Sequence, residues 1–217
     1  MSELRVLTPL EARVLGVLVE KQHTVPDTYP LSLNALQSGC NQKTARAPVM
    51  EASESDLLVA VDSLKHMNLV FAVSGSRVAR YEHNMGRVLG VPSQSVALLA
   101  VLMLRGPQTA AELRLNCERL HKFADISSVE AFLEELAEKQ PARVVKLARA
   151  AGEREARWAH LLCGEPQMPT ASASTSSEGG VAAGELAALR GEVNRLADDL
   201  ASLRAELAAV KSELGLN

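Results

Sequence analysis

Cysteines, histidines and paired carboxylates are the side chains from which this 217-residue chain could build chemistry, and their spacing decides what is possible. Cys40, Cys117 and Cys163 are odd in number, widely separated and free of any C-x-x-C pair. They form no disulfide framework and point to a reducing, cytoplasmic setting. His23, His66 and His121 are scattered, with no cysteine or carboxylate at ligand spacing, so no metal site is assigned. His83 and His160 each close a strand whose same-face neighbours are Ala79 and Tyr81 in one case, Ala156 and Trp158 in the other. An aromatic residue beside alanine marks a packed face, so both histidines read as half-buried structural groups rather than ligands. Glu134, Glu135 and Glu138 resemble paired carboxylates, but on a helix they form a solvated face. There is no phosphate-binding glycine loop, no G-x-S-x-G and no H-E-x-x-H. The sequence therefore assigns no catalytic residue, no cofactor and no metal, and it reads as a non-enzyme.

The elements around these residues come in two similar sets. Residues 10–18 (LEARVLGVL) resemble 94–102 (QSVALLAVL), and Ala79-Arg80-Tyr81-Glu82-His83 resembles Ala156-Arg157-Trp158-Ala159-His160. Order is kept while spacing drifts, as two copies of one domain with different loops would show. Apolar residues make up 47% and aromatics only 3%, so the core must be built of Leu, Val and Ala, a composition that favours helices. Thr8-Pro9-Leu10-Glu11 is a capping box with proline at the first helical position, and it opens a helix to about residue 22. A short helix over about 32–37, an irregular segment 39–48, a helix over about 54–67 and a hairpin of 69–73 with 78–83 follow. In the second set a helix spans about 93–104. Thr109 to Glu112 and Ser127 to Glu130 read as capping boxes for two more helices, and strands 143–149 and 154–160 form the second hairpin. Three helices followed by a hairpin is the winged helix-turn-helix order. The expected fold is mainly α with small β-hairpin wings. It comprises a first winged-helix domain at 1–90, a second at 91–164, a flexible linker at 165–183 and a coiled coil at 184–217.

Charge tests the obvious function of that fold. Residues 1–90 carry nine Lys/Arg and nine Asp/Glu, residues 91–165 ten of each, and the tail supplies the net −3. Neither domain is basic, which weakens non-specific nucleic-acid binding. The third helix of each set is acidic and would repel phosphates where a reading helix normally carries Arg, Lys, Asn or Gln. Basic residues lie elsewhere. Lys43 and Arg46 sit in the turn before the first third helix, Arg77 and Arg80 on the first wing, and Arg105, Arg114, Arg119 and Lys122 around the second helix of the second set. Arg143, Lys146, Arg149, Arg154 and Arg157 ride the second hairpin. They either pair with the acidic helices or form a backbone-contacting surface. If they form that surface, Lys43→Glu with Arg46→Glu should abolish DNA binding without lowering the melting temperature.

The motifs NQKTARAPVM (41–50), YEHN (81–84), LRGPQTAAELR (104–114) and GEREARWAHLL (152–162) resemble the YceH-like family of uncharacterised bacterial proteins. The resemblance spans about residues 4–164 and implies tandem winged helices without assigned catalytic residues. Ala45 and Ala47 depart from it, standing where larger or more polar residues are expected. Gly106-Pro107, Thr109 and Gly152 have turn and capping roles. Asn41, Gln42, Arg46, Gln108 and Arg157 have none that the sequence reveals, so they join Lys43, Arg77 and Arg80 as the candidate binding surface.

The tail has the sharpest pattern. Leu186, Leu189, Val193, Leu196, Leu200, Leu203, Leu207, Val210 and Leu214 alternate spacings of three and four, an unbroken heptad seam. The g positions Glu185, Glu192, Asp199, Glu206 and Glu213 are acidic. The e positions Arg190, Arg204 and Lys211 are basic, with Ala197 the exception. A parallel pair brings opposite charges together and an antiparallel pair does not, so a parallel homodimer is expected. No apolar run is long enough to span a membrane. The leading expectation is a regulatory or scaffolding protein acting through protein contacts. The alternative is a DNA-binding regulator touching phosphate through wings and turns.

Overall fold

The computed structural model describes residues 5–73, 78–149 and 155–166, all within one compact unit, Met1–Gln167. Arg77, Arg154, all of the expected linker beyond its first two residues and the whole heptad seam lie outside the described residues. The described residues are mainly helical, with two small antiparallel sheets.

Helix α1 (Pro9–Thr24) begins as its sequence requires. The Thr8 hydroxyl accepts from the Glu11 N–H, and the Glu11 carboxylate accepts from the Thr8 N–H at 2.8 Å. Every residue from Glu11 to Val19 is buried, so α1 is surrounded rather than laid on a surface. Strand β1 (Leu31–Ser32), helix α2 (Leu33–Cys40) and helix α3 (Glu54–His66) follow, with Ser32 and Ser53 as caps. Strands β2 (Val70–Val73) and β3 (Arg80–His83) complete a sheet in the order β1-β3-β2. A short helix α4 (Met85–Leu89), which the sequence did not suggest, ends at Gly90 in the left-handed region (φ +62°), where glycine carries no side-chain penalty. Then come α5 (Ser93–Arg105), α6 (Ala110–Asn116), α7 (Ile126–Glu138), β4 (Val144–Lys146) and β5 (Trp158–His160).

The second set repeats the bonds of the first, not merely its order. Leu31 pairs with Tyr81 in β3, and Gln108, at the same 77-residue offset, bridges Trp158 in β5. Ser32 caps α2 and Thr109 caps α6, and Cys40 and Cys117 are fully buried after the corresponding turns. The guanidinium of Arg80 donates to the Pro30 carbonyl at 2.9 Å, and that of Arg157 donates to the Pro107 carbonyl at 3.2 Å. The first set differs in the connection from α2 to α3. Cys40 to Glu54 is five residues longer than Cys117 to Ile126, and this longer segment contains NQKTARAPVM.

The two sets share one core. The repeat-equivalent helices α1 and α5 pack against each other, and α5 is buried without a break from Ser95 to Leu104. Leu15, Leu18, Leu99 and Leu102 are all fully buried in a single cluster. Backbone bonds tie the sets at two more points, Leu7 N–H to Leu162 C=O and Ala47 N–H to Leu104 C=O, both 2.8 Å. The helices approach this closely because position 16 is glycine. A Cβ there would lie 2.9 Å from Leu104 Cγ and 3.3 Å from the Ala100 carbonyl oxygen.

Two local expectations are corrected. The box read at Ser127 to Glu130 does not form. Helix α7 starts at Ile126, capped by Asp125, whose carboxylate accepts from the Ser128 N–H at 2.7 Å. A carboxylate two residues upstream supplies the same bond and also favours the positive helix end, so it takes the cap. The paired strands are also shorter than their apolar runs, since pairing stops where the partner strand leaves the ladder.

Gly16→Val should lower the unfolding free energy by about 2 kcal/mol, because a branched side chain must displace both Leu104 and the α5 backbone. Urea denaturation of the full-length protein measures it, and an unchanged midpoint would mean that the two helices are not closely packed.

Candidate functional site

The irregular segment after α2 has backbone polar groups that no helix or strand satisfies, so side chains must do so. Two arginines supply them. Arg13, 1% exposed on α1, donates to the carbonyls of Cys40 (3.2 Å) and Pro48 (2.6 Å). Burial, and then the neighbouring charge of Arg46, pull its pKa below the usual arginine value. Arg46 spends all five of its donors. Nε serves Gly39 C=O, Nη1 serves Glu20 and Ala45 C=O, and Nη2 serves Glu20 and Gln42. The pair with Glu20 is bidentate, at 2.8 and 3.1 Å, and the Arg46 side chain is 1% exposed. Burial pushes the Glu20 carboxyl up, but Arg46 and Lys21 more than offset this and hold it below the ordinary carboxylate value.

This arrangement redefines the candidate surface. Arg46 is an internal clamp, not a free phosphate contact, so Arg46→Glu would disrupt the fold rather than only the surface. Asn41 pins the far end of the segment, exchanging two bonds with the Ala52 backbone at 2.9 and 2.8 Å. Arg80 and Arg157 hold the proline carbonyls described above, and Arg157 also pairs with Glu112 at 3.0 Å. Gln108 is buried. Its backbone forms the Trp158 bridge, and its side-chain oxygen accepts from Asn116 Nδ2 at 2.5 Å. Lys43 is exposed on the turn. Gln42 is half-buried beside it, its oxygen taken by Arg46 and, at 3.4 Å, by Lys21.

The clamped turn forms one wall of a cleft of about 310 Å³ between the two sets. From the first set come Lys21, Gln42, Thr44 and Arg46. From the second come Arg105 at the end of α5, Asn116 at the end of α6, and Arg119 just beyond it. The surface chosen from sequence thus divides. Gln42 and Arg46 line the cleft, and Gln108 orients Asn116 from behind. Asn41, Arg80 and Arg157 hold backbone elsewhere. The sequence noted Arg105 and Arg119 only as basic residues near the second helix, because their position opposite the turn exists only once α1 lies on α5.

The histidines that close β3 and β5 behave alike. Burial, and for His83 also the charge of His23, lowers both pKa values to about 4. His83 Nε2 meets Gln22 Oε1 at 2.7 Å, and His160 Nδ1 is buried without a hydrogen-bond partner among the described residues. Burial raises the Cys40 and Cys117 thiols to about 12, which leaves them protonated and unreactive. Among the described residues, no three His, Cys, Asp or Glu side chains are grouped to hold a metal. No helix among them is long and apolar enough to cross a membrane.

By architecture this is a mainly helical protein whose element order occurs twice about one core, with a polar cleft at the junction. A profile of the family described as "Protein of unknown function, DUF480" matches residues 7–153, and the chain belongs to that family. It is 64% identical over 215 residues to a UPF0502 protein of Burkholderia multivorans, covering 99% of this chain and 92% of the relative. It is 62% identical over 216 residues to a UPF0502 protein of Cupriavidus pinatubonensis, covering 99% and 92%. A UPF0502 protein of Leptothrix cholodnii is also 62% identical over 216 residues, covering 98% and 97%. These matches agree with the YceH-like resemblance read from the motifs.

The two histidines set a pH dependence. Their folded pKa values lie near 4, below the ordinary histidine value of 6.5, so the unfolded chain binds more protons between these limits. Stability is then full above about pH 6.5 and falls as pH drops toward 4. Near pH 5 each histidine contributes a slope of about one proton, and His160→Gln should remove about one of them. Urea midpoints across that range provide the measurement. A flat profile for the parent protein would show that the imidazoles are not buried.

Proposed function

We propose that this protein is a non-enzymatic regulatory or scaffolding protein, built from two winged helix-turn-helix repeats and acting through protein contacts. The observation that supports this most is the outer face of α3, the helix that a winged-helix DNA reader would place in the major groove. That face carries Leu58 and Val59, 45% and 72% exposed, flanked by Glu54 and Asp62. It offers apolar area with Glu54 at one end and, at the other, Asp62 paired with Lys65 at 3.1 Å, which leaves little for phosphate. The edge strand β2 separately exposes Phe71 and Val73, at 40% and 38%. Exposed apolar residues of this kind suit a protein partner whose contact surface is apolar. Engagement of Arg46, Arg80 and Arg157 with carbonyls and carboxylates also removes three of the cations that a DNA-contacting surface would use.

Titration of the full-length protein with a duplex oligonucleotide across a salt series separates the two readings. The protein-contact reading expects no measurable affinity even at low salt. A slope corresponding to several released counterions, reduced by Lys43→Glu, would replace it with the DNA reading.

The heptad seam from Leu186 to Leu214 makes self-association part of the proposal, as a parallel dimer that presents two α3 faces. Sedimentation of full-length protein should give a dimer at tens of micromolar, and a version ending at Gly164 a monomer. If both are monomers, the seam does not join two chains.

A further inference from the structure

We propose that the cleft between the two repeats binds a small organic phosphate. A volume of about 310 Å³ lies at the lower end of the range of small-molecule sites. The charge within it is unbalanced. Four cations, Lys21, Arg46, Arg105 and Arg119, face one carboxylate, Glu20. That carboxylate is already used, with both oxygens on Arg46 and one also on Lys21 at 2.9 Å. Arg105 and Arg119 are exposed and make no hydrogen bond or ion pair among the described residues. The chain as a whole is acidic, net −3, so this excess is local rather than a general basicity.

Uncompensated guanidinium groups in a concave site concentrate field and favour an anion. Arginine pairs suit phosphate in particular, because the planar fork donates to two oxygens at once and phosphate has oxygens to spare. The remaining polar groups have hydrogen-bonding capacity left. Gln42 spends its oxygen on Arg46, which leaves its amide hydrogens to donate. Asn116 donates to Gln108, which leaves its oxygen to accept. The Thr44 hydroxyl has no partner among the described residues. Part of the lining is apolar, from Val25, Val101, Leu104 and Leu120, and a bare inorganic anion would leave it uncovered. The ligand class that uses both parts has a phosphate group for the arginines and a carbon skeleton for the apolar wall. A duplex presents its phosphates on a convex surface and fits a cleft of this size poorly.

The site does not depend on the protein-contact reading, since none of its residues lies on α3. Titration calorimetry of the full-length protein in phosphate-free buffer uses three probes, inorganic pyrophosphate, adenosine diphosphate and adenosine. Pyrophosphate should bind saturably, one per chain, adenosine diphosphate more tightly, and adenosine not measurably. Arg105→Gln with Arg119→Gln should weaken the diphosphate about tenfold or more. The melting temperature without ligand should stay unchanged, because both side chains are exposed and make no bond among the described residues. Lys43→Gln, exposed and outside the cleft, should leave the affinity as it was. The proposal fails if neither phosphate probe binds, or if the double variant binds as well as the parent. It also fails if Lys43→Gln weakens binding equally, or if a duplex oligonucleotide displaces adenosine diphosphate with the same sensitivity to the double variant.

Discussion

The pair between buried Arg46 and half-buried Glu20 is the interaction on which the junction of this protein depends. The segment after α2 has no ladder of its own, and it contains Ala45 at φ +58°, a conformation that costs a non-glycine residue about 1 kcal/mol. It keeps its shape because Arg46 and Arg13 fill its inward carbonyls and Glu20 neutralises the first of them. A charge pair this deep contributes little against a well-packed apolar alternative. Removing Glu20, however, leaves Arg46 buried without its counter-charge, at a cost of about 3–5 kcal/mol, whereas removing Arg46 leaves Glu20 still paired with Lys21 and strands the Gly39 and Ala45 carbonyls. Once the segment is fixed, Ala47 can donate to Leu104, and the turn becomes both a link between the repeats and a wall of the cleft.

The repeats explain most of what the motifs contain. The bridge at Leu31 recurs at Gln108, the proline clamp of Arg80 recurs at Arg157, and the buried thiol of Cys40 recurs at Cys117. Residues doing the same structural task twice need no functional account. What differs between the repeats is more informative. The first has the longer turn with its arginine clamp and an apolar outer face on α3. The second has an acidic outer face on α7, with Glu134, Glu135 and Glu138, and contributes the exposed arginines Arg105 and Arg119. Sites that two copies of a fold do not share are where each can acquire a task of its own.

The sequence was most legible where the signal is local. The boxes at Thr8 and Thr109 depend on residues three apart and formed as read. The box at Ser127 was misplaced because Asp125 and Ser127 are both good caps, and only the paths of the flanking chain decide between them. Arg46 read as a surface cation because its partner, Glu20, lies 26 residues away on α1, a distance that no pattern within the turn can report. The cleft was illegible for the same reason, since it requires α1 to lie on α5. The hint available was the repeat itself. Its two matching segments, LEARVLGVL and QSVALLAVL, are apolar around most of their circumference, as two helices that bury each other must be.

A double-mutant cycle on Arg46→Met and Glu20→Gln, measured by urea denaturation of the full-length protein, tests the central role of this pair most directly. Glu20→Gln should cost about 3–5 kcal/mol, Arg46→Met about 2–4 kcal/mol through the Gly39 and Ala45 carbonyls it leaves unsatisfied, and the double variant should lose markedly less than the two combined. Single costs below about 1 kcal/mol with no coupling, the behaviour of an exposed pair, would contradict it.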